Sequence, residues 1–354
     1  MTQLTDKDGE WIFIIPIEGL RLTKEVNEEF VVNRVTFVTR EKLPRIRKRL
    51  GLPATLSDLT EIISQNDNGF KQIFKDFFQS SKTFAVLPYR GKPKEKQKDC
   101  IRIVREELNI LSLSQLGWLR RNFNNRIEIK TSDKALIYST IDINKRHKEF
   151  THGVKTIFNP APFILDKKWI SFHKKFFFFE LLKIIGGVSM VSIKWRTILH
   201  RAAVMIGQSQ NSNDLPFCLL WNVIALEMLL TKEGEKISDK LVSRCEYFLG
   251  WNEEWASEKY DFRIRNVYKK RCNFVHNGDI KLIEIQDLLF TDDLIFNILN
   301  NIVRYKNKIQ DIKDIVGFSE KYEAEKLLNQ KSKYQFGKFK LMKKHYSEND
   351  YKEI

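Results

Sequence analysis

The sequence predicts an α+β protein, with a mixed α/β domain over residues 1–186 followed by an all-α helical bundle over 187–354. Three observations lead there. With 354 residues the chain is too long for one small core and fits two domains of ordinary size. In the first half, β-branched and aromatic runs alternate with apolar residues at helical spacing. After about residue 193 nearly everything follows the helical period, and Gly186-Gly187 marks a plausible junction.

In order, "WIFIIPIEG" (11–19) and "VVNRVTFVTR" (31–40) read as strands. "TLSDLTEIISQ" (55–65) and "FKQIFKDFFQ" (70–79) read as amphipathic helices, with Ser57 a candidate cap for the first. A strand is predicted over 83–89. It is followed by the loop "RGKPKEKQK" (90–98), whose five basic residues against one acid could touch phosphate, and by a helix around 99–111. Residues 125–140 resemble a hairpin with Ser132-Asp133 near its turn. "NPAPF" (159–163) breaks regular structure before a helix at about 167–185.

The second half predicts helices over 193–207, 214–230, 234–250 and 255–276. Asp214 and Pro216 open the second of these, Gly250 closes the third, and Asn277-Gly278 closes the fourth. A fifth is predicted over 280–306, capped by Asp279 and with a bend or split near Thr291. Short connections favour antiparallel neighbours, hence a bundle. The tail "KSKYQFGKFKLMKKH" (331–345) carries six lysines, three aromatics and no acid, a composition suited either to single-stranded nucleic acid or to a solvated terminus.

A net charge of +16 favours a polyanionic partner, nucleic acid first and an anionic membrane surface second. The membrane reading lacks a basic amphipathic helix with a clear apolar face, and no apolar run approaches the roughly 18 residues of a spanning helix. The polar, acidic N-terminus is unlike a secretory signal. Four scattered cysteines without a CxxC pair argue against a zinc motif and a disulfide framework, so a reducing cytoplasm is the expected home. His147, His152, His173 and His345 have no carboxylate or cysteine at a ligand spacing. His200, beside Arg201, suits core or surface duty. Glycine-rich phosphate loops, GxSxG elbows, HExxH and paired-carboxylate signatures are all missing.

One stretch stands out: "KKRCNFVHNGD", residues 269–279, where Arg271 and His276 lie five positions apart just before a helix stop. Five residues advance an ideal helix by about 500°, so the two side chains leave it about 140° apart. Two readings stay open here: a C-terminal histidine that helps the helix dipole, or a working active site. Cys272, within the helix and without a second reactive partner, is a poor nucleophile candidate.

Three segments come in order: "LLWNVIALEMLL" (219–230), "GEKISDKLVSRCEYFLG" (234–250) and "VYKKRCNFVHNGD" (267–279). Together they resemble the ApeA-like branch of the HEPN superfamily. The likeness rests on Ala225-Leu226-Glu227, on Arg244 before Leu249-Gly250, and on Tyr268, Arg271 and His276. It covers roughly residues 190–310; outside that range, "IPIEGLRL" near the N-terminus is similar to openings of such proteins. Two departures are Cys272, where a small polar residue is common, and Asn277, inserted before Gly278.

The resemblance implies an RNA-cleaving helical domain that works as a dimer, with Arg271 and His276 catalytic, often in defence against phage. RNA supplies its own nucleophile, the 2′-hydroxyl, so alignment, proton transfer and charge stabilisation suffice, and no metal or cofactor is required. An imidazole moves protons near neutral pH, and a guanidinium brackets two phosphate oxygens of a phosphorane-like transition state. The expected products are a 2′,3′-cyclic phosphate and a 5′-hydroxyl, with DNA spared. Asn273 or Asn277 could assist. Glu227 could orient Arg271 or His276, or pair with Arg244 in a structural salt bridge. Arg244 and Tyr268 suit structural duty or a phosphate contact, and Lys269 and Lys270 suit the RNA backbone or solvent. The expected partners are RNA, a second copy of the chain through the HEPN domain, and a phage-derived activator at the N-terminal domain, with no membrane. The alternative is a non-catalytic HEPN module that binds nucleic acid or nucleotides as a partner or scaffold.

Overall fold

The structure is a computed structural model that describes residues 9–50, 80–91, 96–118, 121, 126–130, 137–144, 149–156, 162–249 and 259–328. It is α+β, with an antiparallel sheet region followed by a helical C-terminal part. The predicted helices at 55–65 and 70–79, and the lysine-aromatic tail, lie outside the described residues.

Two compact units emerge: residues 1–105 with 124–166, and residues 106–123 with 167–354. Their boundary follows Asp166, and Gly186-Gly187 falls inside the second unit. A short chain segment, 106–123, therefore belongs to the second unit although the first surrounds it in sequence.

The first unit holds strands β1 (Gly9–Glu18), β2 (Leu20–Leu22), β3 (Glu29–Val32), β4 (Val35–Thr39) and β5 (Thr83–Gly91), with a short helix, α1 (Leu43–Ile46), after β4. The unit also holds β6 (Glu128–Ile129), β7 (Ile137–Asn144), β8 (Glu149–Thr156) and β9 (Phe163–Leu165). The main sheet runs β3-β4-β5-β1-β6, all antiparallel, with β1 paired to β5 from Gly9↔Gly91 to Ile17↔Thr83. The span 31–40, expected as one strand, is a hairpin. Asn33 adopts a left-handed φ of 48° and folds β3 back on β4, a conformation that asparagine tolerates better than branched residues do.

The hairpin expected over 125–140 is also corrected. β6 pairs with β1, whereas β7 pairs with β8. Alternation told strand from loop here but carried no information about the partner. β4 and the first five residues of β5 are buried throughout, and Val38, Phe84 and Val86 meet Leu43 and Leu50 in one apolar cluster.

Helix α2 (Lys96–Leu113) carries the chain from the first unit into the second. The second unit continues with α3 (Lys167–His173), α4 (Phe178–Ile185), α5 (Ile193–Gln210), α6 (Leu215–Leu230), α7 (Ile237–Leu249), α8 (Tyr260–Asn277), α9 (Ile285–Arg304) and α10 (Ile312–Leu327). The helix expected at 167–185 is two helices, broken over residues 174–177. Phe176 and Phe177 in the break turn their rings onto Phe296 of α9, so the aromatic run is spent on packing rather than on helix continuity. The fifth predicted helix starts later, at Ile285, with Glu284 and Asp287 forming a reciprocal capping box, and it runs unbroken past Thr291. Asp279 instead accepts from the backbone N–H of Lys281 (3.1 Å) in the connecting turn.

Helix α9 is the axis of the bundle, with fifteen of its 20 residues buried, packed against α4, α6 and α7. A polar knot crosses this core. Asp292 accepts from Arg121 Nε (2.8 Å) and Nη2 (2.9 Å), from Gln210 Nε2 (3.1 Å) and from Asn222 Nδ2 (2.8 Å). Arg121 also donates to the Ser209 carbonyl (2.7 Å).

His173 lies in a different part of the same core, ringed by Trp169, Phe172 and Phe178. Burial drives its pKa down to about 3, weakly opposed by a backbone group of Ser114. An unfolded histidine takes up its proton around 6.5, so between that pH and about 3 the unfolded chain binds the extra proton. The stability carried by the neutral ring is thus complete above the upper limit and is lost as pH falls through the window. Melting temperatures of wild type and His173→Phe, followed from neutral to mildly acidic pH, should show a shallower acid limb for the variant; parallel limbs would contradict the assignment.

Candidate active site

The site is built where α6 and α8 meet. Asp214 caps α6 by accepting from the Phe217 N–H, and Pro216 sits in its first turn, both as expected. α6 is apolar on nearly every side because it packs against α5, α7, α8, α9 and α10. Glu227 is thus a carboxylate on a largely buried helix. α8 buries Tyr260, Ile264 and Val267 in its first half, while its last turn faces solvent. It ends at Gly278, whose φ of 65° suits glycine, and there the Gly278 N–H bonds the Phe274 carbonyl (3.0 Å).

Arg271 Nη2 donates to Glu227 Oε2 at 3.3 Å, with the two side chains 18% and 14% exposed. The contact is single rather than forked. Arg271 Nε and Glu227 Oε1 are both buried and, among the described residues, find no hydrogen-bond partner. Burial raises the Glu227 pKa, with Arg271 opposing. Tyr268 lies beside the pair, its ring centroid 5.9 Å from the Arg271 guanidinium carbon. Burial, then neighbouring Cys272 and Glu227, push the Tyr268 hydroxyl pKa up.

His276 is exposed in the last turn of α8 and makes no hydrogen bond or ion pair with a described residue. Because α8 is helical through Asn277, His276 and Arg271 keep the separation of about 140° expected of a regular helix. Asn273 is half-buried; Asn277 and Lys269 are exposed.

Arg244 stands apart from this group. It is buried on α7, forks onto Glu235 (2.6 and 2.7 Å) and donates to the Leu230 carbonyl (2.7 Å). The alternative pairing of Glu227 with Arg244 is therefore replaced by Glu227 with Arg271 and Arg244 with Glu235. The fork holds the Glu235 pKa down to about 2. Lys270 turns inward, donating to Asp287 Oδ2 (2.7 Å) in the capping box of α9. Its ammonium thus serves the join between α8 and α9.

Glu227→Gln keeps the size of the side chain and removes its charge. Stability should fall by about 1–3 kcal/mol, the usual cost of weakening a charge-assisted contact to a largely buried arginine. Urea denaturation of the variant and wild type checks it, and equal midpoints would mean that the pair holds nothing together.

No family model matches the chain, and no solved structure matches it. The chain is 24% identical over 139 residues to kininogen of Salmo salar, a stretch that covers 38% of this chain and 37% of the kininogen. The chain thus spans less than two-fifths of that relative's length. Among the described residues, no helix is long and apolar enough to cross a membrane.

Proposed function

We propose that the protein is a metal-independent endoribonuclease of the HEPN type, in which Arg271 binds and stabilises the scissile phosphate and His276 moves the proton. One observation carries this reading. Arg271 is held by a single long contact to Glu227 while its buried Nε lacks a described partner, and an exposed histidine stands five residues further along the same helix. A guanidinium so incompletely satisfied is suited to donate to phosphate oxygens. Lys269 remains a candidate contact to the RNA backbone, and Asn273 and Asn277 are candidate assistants.

The splay of Arg271 and His276 favours a two-fold dimer in which one protomer's arginine and its partner's histidine serve the same phosphate. Phe217 (44% exposed) and Val275 (48%) add apolar surface near these residues. All four cysteines are free, in keeping with a reducing cytoplasm. Defence against phage, with an activator acting on the N-terminal unit, is the biological role that the resemblance suggests. A second reading has one observation in its favour: Arg271 is already ion-paired, which suits a module that binds nucleic acid without cutting it.

Labelled RNA and DNA incubated with the protein in EDTA separate the two. RNA-only cleavage leaving 2′,3′-cyclic phosphate ends supports the nuclease, and the specific activity should drop on dilution below the dimer dissociation constant. Binding without cleavage, with infected-cell extract added, overturns it in favour of the binding module.

A further inference from the structure

The first unit holds a cavity of about 280 Å³ at one end of its main sheet, where the end of β1, the start of β5 and the residue after β6 come together. Buried Ile17 and Leu20, with Pro162, give it an apolar wall. Lys82, Lys130 and Arg21 set three cations around it against one carboxylate, Glu18. Lys130 is positioned rather than loose. Its ammonium donates to the hydroxyls of Ser80 (2.7 Å) and Ser81 (3.1 Å), and its backbone N–H bonds the Pro16 carbonyl (3.0 Å). Lys82 and Arg21 are exposed and form no ion pair with a described residue. Gly19, between β1 and β2, also lines the cavity; its φ is 74°, and its backbone lies so close to residue 126 that a Cβ there would fall 1.7 Å from the Arg126 carbonyl oxygen.

We infer that this cavity binds a small organic phosphate about the size of a nucleoside monophosphate. The apolar wall takes the base or an equivalent flat body. Lys130, held by two hydroxyls, and the exposed cations Lys82 and Arg21 take the phosphate, since charge-assisted bonds from ammonium or guanidinium to phosphate are the strong ones available here. The volume lies at the low end of small-ligand pockets, which suits one nucleotide and excludes a folded polymer. The inference stands on the first unit alone and does not depend on the nuclease reading.

The test uses the full chain, with adenosine monophosphate, adenosine and inorganic phosphate as probes, read by calorimetry and by melting temperature. Adenosine monophosphate should bind and raise the melting temperature, and adenosine should bind far more weakly. Lys130→Gln and Lys82→Gln should each weaken nucleotide binding, the former by about tenfold or more, as loss of one charge-assisted contact implies. Arg271→Ala should leave it unchanged, which separates this cavity from the site on α8. Lys82 is exposed, so Lys82→Gln keeps the test valid if Lys130→Gln fails to fold. Four results would overturn the inference: no response to any of the four common ribonucleoside monophosphates; equal binding of adenosine; inorganic phosphate binding as tightly as the nucleotide; or nucleotide binding lost with Arg271→Ala and kept with both lysine variants.

Discussion

His276→Ala should lower the rate of RNA cleavage by about 10²–10⁴-fold, the usual contribution of a positioned general acid or base. The same substitution should leave stability within about 0.5 kcal/mol of wild type, because His276 is exposed and has no described partner to lose. A buried structural histidine would lose activity and fold together, whereas here the two separate. Initial rates on end-labelled RNA, alongside a melting curve of each preparation, check it. A variant that cuts at the wild-type rate would remove the histidine from the chemistry, and the reading of Arg271 as a catalytic partner would go with it. Affinity for RNA should change little, since the imidazole is assigned to proton transfer rather than to holding the backbone.

Asp292→Ala should destabilise the bundle by about 3–5 kcal/mol, the cost of stranding a buried charge. The Asp292 side chain is 0% exposed and that of Arg121 is 2%, so without the carboxylate Arg121 cannot recover its hydration without opening the core. Gln210 and Asn222 would each lose an acceptor as well. Urea denaturation measures the difference, and a loss under about 1 kcal/mol would mean that the knot is not a folding element. The charge itself is replaceable in principle. Removing both partners together, as Arg121→Met with Asp292→Leu, should recover much of the loss, because apolar residues of similar volume often match a buried ion pair. Arg121 belongs to the segment 106–123, which interrupts the first unit in sequence, and the pair ties this residue to α9.

What the sequence made legible follows local physics. Asp214 with Pro216 announced the start of α6, and Asn277-Gly278 announced the end of α8, because caps are written in adjacent residues. Pairing was not legible in the same way. The alternation over 125–140 was real, but β6 joins β1 from the distant start of the chain, which leaves β7 to pair with β8, the strand that follows it. The Arg121–Asp292 bond joins residues 171 positions apart, and nothing in either neighbourhood marks it. The candidate site was partly readable. A carboxylate at position 227 on an apolar helix demanded a partner, yet the choice between Arg244 and Arg271 required the structure, where Glu235 had already engaged Arg244. Lys270 looked like its neighbour Lys269 in sequence, and only the fold turns it toward Asp287.

The central claim is that Arg271 and His276 act on one phosphate, and a double-mutant cycle on single-turnover cleavage tests it most directly. If both groups serve the same transition state, combining Arg271→Ala with His276→Ala should cost little more than the worse single substitution, as for residues that work as a unit. Two losses that simply multiply, or either single variant cutting at the full rate, would contradict the claim.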